Sequence, residues 1–127
     1  MPVIRTENQS KQSLQEFYDF LVGQSESWKN TRDSMINLIN ALNKEFPNEI
    51  FYALTSHSRL VILKNKETLS DWLVIFSSSF PNEYHIDAML PDKKSIWENS
   101  RITTNVKGVE KAIEYFKLAL KNLEINN

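Results

Sequence analysis

The chain has 127 residues, 15 basic and 16 acidic side chains, a formal net charge of −1, two glycines and no cysteine. A length of this order suits a single domain, residues 1–127, with a core large enough to fold without disulfides. Lack of cysteine excludes thiolate metal sites and a cysteine nucleophile, near-neutral charge supplies no field to steer nucleic acid or an anionic membrane, and two glycines are too few for a phosphate loop, a dinucleotide fingerprint or a nucleophile elbow.

No apolar run approaches the roughly 20 residues of a membrane span. The opening Met-Pro-Val-Ile-Arg-Thr-Glu-Asn lacks the apolar centre of a signal peptide. The expectation is a cytoplasmic protein, and its frequent Asn, Lys and Ile suggest a bacterial, AT-rich genome.

Residues 1–9 read as a flexible or short extended arm. A first helix is predicted from Lys11 to Val22, because Leu14, Phe17, Tyr18 and Leu21 recur along one face. Ser10 is its candidate N-cap and Gly23 its C′ residue. After a polar link, Gln24–Ser27, a second helix runs from Trp28 to Phe46. Its stripe is Trp28, Met35, Leu38, Ile39, Leu42 and Phe46, and Pro47 ends it by disfavouring helical geometry at the residue before. Phe46-Pro-Asn-Glu49 recurs as Phe80-Pro-Asn-Glu83. Each copy leads into a strand, while the sequences before them differ, so the repeat reads as one turn signal used twice.

The chain is organised around Ile50–Leu90, read as four strands: Ile50–Thr55, Arg59–Lys64, Trp72–Phe76 and Glu83–Leu90. The connections are short and polar, which favours an antiparallel meander, since parallel pairing needs a crossover of about a dozen residues. Leu60–Leu63 and Leu73–Phe76 are continuously apolar, as for strands buried on both faces at the middle of a sheet. A cover for that second face is then required: a helix, the loop after Leu90, or another subunit. The fourth strand alternates, with Tyr84, Ile86, Ala88 and Leu90 inward and Glu83, His85, Asp87 and Met89 toward water.

Pro91–Thr104 shows no periodicity and reads as a long loop containing Ile96 and Trp97. A last helix is predicted from Val106 to Leu123, capped by Asn105, with Val106, Val109, Ile113, Phe116, Leu120 and Leu123 along one side. The predicted order is α-α-β-β-β-β-α, a two-layer α+β domain with an antiparallel four-stranded sheet.

The chemistry-bearing residues are few. His57 falls in the first predicted hairpin turn and His85 on the polar face of the last strand. In a meander both lie at one end of the sheet, roughly 10–14 Å apart from the ~4.8 Å strand spacing. That separation is too large to share a metal and small enough for one ligand. Ser56, Ser58, Ser77, Ser78, Glu83 and Asp87 lie near the same rim. A catalytic reading makes a histidine the general base and Arg59 the anion holder; no motif spacing supports it, and an exposed turn histidine, a strand-surface histidine and polar turn serines account better for the pattern. No H-E-x-x-H or calcium loop occurs, so no metal or cofactor is expected.

The size, neutrality and lack of motifs resemble small cytosolic partner proteins such as immunity proteins that neutralise a toxin. The expected function is therefore a non-enzymatic protein-binding module. Its expected contact residues are Glu83, His85, Asp87 and Met89, with Trp97 as an anchor. The alternative is a small ligand-binding domain or enzyme at the His57/His85 rim. A protein partner is expected, self-association through the second face of the central strands is left open, and nucleic acid and membrane are not expected partners.

Overall fold

A computed structural model describes residues 3–5, 12–63, 72–89 and 101–125. The described elements are β1 (Val3–Arg5), α1 (Leu14–Gln24), a 3-10 turn (Glu26–Trp28), α2 (Lys29–Glu45), β2 (Phe51–Ser56), β3 (Arg59–Leu63), β4 (Trp72–Ser77), β5 (Glu83–Met89), β6 (Arg101–Lys107) and α3 (Val109–Ile125). The class is α+β. The sheet, however, has six strands in the order β1-β2-β3-β4-β5-β6 and is mixed, where four antiparallel strands were predicted.

The meander β2–β5 forms where the sequence places it, and its strands pair antiparallel. The two added strands lie at its flanks. β1 forms within the segment read as an arm and pairs parallel to β2, Val3 opposite Phe51. The crossover that parallel pairing requires is supplied by α1 and α2. β6 pairs antiparallel to β5 over seven residues, Glu83 opposite Lys107 through Met89 opposite Arg101. It occupies the end of the expected loop and the start of the expected last helix. That helix begins only at Val109, after Gly108, whose φ of 90° is a backbone conformation glycine adopts without strain.

The first helix also starts later than predicted. Ser13, not Ser10, is the cap: its Oγ accepts from the Glu16 N–H at 3.1 Å, and Glu16 Oε1 accepts from the Ser13 N–H at 3.2 Å. This reciprocal pair is the capping box of Ser-x-x-Glu. Gly23 stays inside α1, and the chain leaves the helix at Ser25, which is extended.

One core joins all three helices to a single face of the sheet. Leu14 and Tyr18 of α1, Met35, Leu38, Ile39 and Leu42 of α2, and Ala112, Ile113, Phe116 and Ala119 of α3 share it with residues of β1 to β5. Phe116 is the centre of an aromatic group, with ring centroids 5.5 Å from Phe46, 5.1 Å from Phe51 and 6.2 Å from Phe76. Phe46 and Phe51 stand edge-on to Phe116, an arrangement the ring quadrupoles favour, and Phe76 is tilted against it.

β4 is internal, between β3 and β5, and Leu73, Val74, Ile75 and Phe76 are all buried, as the apolar run implies. Val61, Leu63 and Ile75 form a second, smaller cluster on the face away from the helices, with Tyr52, Leu54 and Trp72 packed against it. A register shift between Ile62 and Leu63 pairs Leu63 with Trp72. Such a bulge lets two successive residues, here Leu73 and Val74, join the helix-side core while Trp72 and Ile75 stay on the other face. Of the loop expected after Leu90, one possible cover for that face, residues 91–100 lie outside the described residues and the rest belongs to β6. No helix among the described residues is long and apolar enough to cross a membrane.

Candidate functional site

The β4–β5 turn is fastened to the helical layer by side chains that the sequence analysis did not single out. Thr31 and Ser34 of α2 are buried on the helix's inner side. Thr31 Oγ1 donates to the Ser78 carbonyl at 2.9 Å. Ser34 Oγ accepts from the Asn82 N–H at 3.1 Å, and the Ser34 carbonyl accepts from the Tyr84 hydroxyl at 2.7 Å. From the other side, the Gly108 N–H donates to the Asn82 carbonyl at 2.8 Å. Burial and the nearby Glu110 carboxylate push the Tyr84 phenol up to about 12. It therefore stays a neutral donor to Ser34. Asn82 has a φ of 57°, and Glu83 N–H donates to the Phe80 carbonyl at 3.2 Å. That is a type II turn, with proline and asparagine in their favoured places.

The turn so held carries Phe80 with 65% of its surface exposed. Beside it lies an open cleft of about 530 Å³ lined by Ser77, Ser79, Phe80, Glu83, Tyr84, His85, Asn105, Val106 and Lys107.

Next to the cleft, β5 and β6 present a polar face. The Gly108-to-Asn82 bond makes that position a hydrogen-bonded pair, so the antiparallel alternation places His85 opposite Asn105, and Asp87 opposite Thr103, at non-hydrogen-bonded sites, where side chains come closest. His85 Nδ1 is 2.8 Å from Asn105 Oδ1, and its Nε2 is 3.7 Å from Asp87 Oδ1. Thr103 Oγ1 donates to Asp87 Oδ1 at 2.5 Å. Lys107 Nζ lies 3.7 Å from Glu83 Oε1.

Of the residues singled out from sequence, Glu83 and His85 thus line one cleft with Phe80. Asp87 belongs to the same face, but it was expected to face water and is only 8% exposed. The unforeseen neighbour β6 covers it, and Thr103 supplies the hydrogen bond that makes burial tolerable. Met89 is described in its backbone alone, opposite Arg101, and Trp97 lies outside the described residues.

His57 and Arg59 are at the β2–β3 turn. His57 is exposed with φ 57°, and Tyr18 of α1 donates to the next carbonyl, that of Ser58, at 3.1 Å. Burial raises the Tyr18 phenol above its ordinary value, with the Arg5 charge opposing. The Arg59 guanidinium folds back on its own turn, 3.2 Å from Ser56 Oγ and 3.4 Å from the Ser56 carbonyl. Neither residue lines the cleft that holds His85. Among the described residues no three His, Asp or Glu side chains converge in a way that could hold a metal ion.

Sequence reasoning missed Phe80, Asn105 and Lys107 as site residues. In sequence Phe80 marks only a turn. The clue to its anchoring was Thr31 and Ser34, whose spacing from Trp28 and Met35 extends the apolar stripe of α2 by polar residues. No family model, curated protein or solved structure matches the chain.

Proposed function

We propose that this chain is a non-enzymatic protein-binding module whose contact surface is centred on Phe80 and the adjoining faces of β5 and β6. The observation that carries this reading is a largely exposed phenylalanine on a turn anchored by Thr31, Ser34 and Gly108. Leaving a large aromatic ring in water forgoes roughly 1.5–3 kcal/mol of burial, and interface anchors are typically such aromatic side chains. A turn already fixed before binding loses little entropy on contact. Glu83, His85 and Lys107 beside it provide the charged and polar rim that fixes orientation.

The geometry of the histidine also supports binding over catalysis. Both His85 ring nitrogens have neighbours, Asn105 and Asp87, and Arg59 is occupied at its own turn. The ligand-binding alternative is favoured by one observation, a cleft volume within the usual range for small-molecule sites. Its openness and mixed lining suit a protein side chain equally well.

The test is affinity capture from host extract with the native chain and with Phe80→Ala, each checked by a melting curve. The expected result is that a protein retained by the native chain is lost with Phe80→Ala while the melt is unchanged. Equal retention by both would reject the surface. If the role is of the immunity type, the retained protein is a toxin, and co-expression with the native chain, but not with Phe80→Ala, restores growth.

A further inference from the structure

The two edges of the sheet are finished differently. β1 is three residues long, and its Val3 N–H donates to Asn43 Oδ1 of α2 at 3.0 Å. β6 is seven residues long, has neither proline nor a bulge in its pairing, and among the described residues pairs with β5 alone. Long regular edges of this kind are templates for a further strand.

The pairing pattern shows which groups face outward. With Asn82·Gly108 a hydrogen-bonded pair, the ladder alternates so that Val106, Thr104 and Ile102 turn their N–H and C=O toward β5. Lys107, Asn105, Thr103 and Arg101 turn theirs outward. The side chains of Thr103 and Asn105 meet β5 residues across the polar face, so the sheet is held there while its outer edge is presented.

Along the helix side of this edge runs a groove of about 430 Å³ lined by Val106, Lys107, Lys111, Glu114, Tyr115 and Leu118. Val106, Tyr115 and Leu118 are its apolar lining, and Leu118 is 52% exposed. Lys107, Lys111 and Glu114 are its charged lining, and Glu83 lies next to Lys107. The ion pairs of these lysines, Lys111 with Glu114 at 3.4 Å and Lys107 with Glu83 at 3.7 Å, are solvent-exposed. Such pairs hold a lysine only loosely.

We infer that the outer edge of β6 accepts an extended segment of another protein. The segment is apolar on the side facing Tyr115 and Leu118 and carries an acidic side chain for Lys107 and Lys111. Main-chain bonds to Thr103 and Asn105 supply the pairing, and the groove selects alternate side chains. A second copy of this chain is the poorer occupant. Its own β6, residues 101–107, carries no acidic residue to set against Lys107 and Lys111. The inference rests on the protein-binding reading and names the class of partner segment.

The test uses the full chain, labelled with nitrogen-15, and three capped heptapeptides. One alternates leucine with threonine and glutamate, one has lysine for glutamate, and one is the acidic peptide N-methylated throughout. Amide hydrogen exchange is read at Thr103 and Asn105, with Thr104 and Val106 as internal references. The acidic peptide is expected to slow exchange at Thr103 and Asn105 at least several-fold, the other two to leave it unchanged. Equal protection by the lysine peptide, protection by the N-methylated peptide, or no protection by any would overturn the inference. So would protection without peptide that grows with protein concentration, which would identify a second copy. Phe80→Ala should leave the peptide effect intact, so failure at the edge and failure at Phe80 are read separately.

Discussion

Phe-Pro-Asn-Glu occurs at 46–49 and at 80–83, and both copies close in the same way, Glu N–H donating to the Phe carbonyl at 3.3 Å and 3.2 Å. Their surroundings reverse what the phenylalanine does. Phe46 ends α2 and lies edge-on to Phe51 and Phe116, part of the core. Phe80 follows β4 and stands in solvent. The backbone differs too: Asn82 has positive φ and Asn48 does not. Four residues specify a turn, and the element before them decides whether the aromatic ring stabilises the fold or is displayed. The second copy is also the one fastened by buried polar groups, as a displayed side chain with no core contacts of its own requires.

The two rings should differ most in what their removal costs. Phe46→Ala should cost about 2–3 kcal/mol, near the low end for phenylalanine truncation because the ring is half-buried. Phe80→Ala should cost less than about 0.5 kcal/mol, as at most surface sites. Similar losses in denaturant melts would mean the two rings do not differ in role. Next in size is the fastening. Ser34→Ala removes the acceptor of the Asn82 N–H and should cost about 1–2 kcal/mol. No measurable loss would show that the turn holds itself.

Alkaline pH loosens the same fastening through Tyr84. Its folded value is raised to about 12 from 10.0. Below pH 10 both folded and unfolded states are protonated and nothing is lost. Above it the unfolded chain releases the proton first, so stability falls between pH 10 and about 12. The slope for one tyrosine cannot exceed about 1.4 kcal/mol per pH unit. Tyr84→Phe should flatten part of that fall in melts across this range, and an unchanged slope would place the phenol in water.

The smallest effect separates the two asparagines. Asn82→Gly relieves a left-handed residue and should be neutral or stabilising by a few tenths of a kcal/mol. Asn48→Gly gains no such relief and should destabilise by a similar amount. The same sign at both positions would remove the backbone difference.

The central meander was legible because its residues carry unambiguous period. Leu60–Leu63 and Leu73–Phe76 announce burial on both faces, and β5 alternates. The flanks were not legible, for different reasons. Val3–Arg5 is too short to show any period. Arg101–Lys107 does alternate, with Ile102, Thr104 and Val106 on one side, but Val106 also fits the helical spacing to Val109 and Ile113. Asn105 imitates an N-cap, and the helix stripe absorbed the end of a strand. Missing β6 then hid half of the candidate site. In sequence Asp87 reads as a water-facing acid, because the residue that covers it, Thr103, falls in a stretch without clear period. Phe80 could not be placed at all, since the same four letters occur at 46–49 with the opposite outcome.

The parallel pairing of β1 with β2 also sets an order of assembly. Each hairpin of the meander joins residues close in sequence, whereas Val3 pairs with Phe51 across both intervening helices. Closing so long a loop costs entropy before any contact offsets it. β1 therefore docks late, and its contacts count little toward the folding barrier and more toward the rate at which the finished protein comes apart. The Asn43 side chain that holds Val3 acts as a latch on that last step, a brake on unfolding placed at the edge of the sheet.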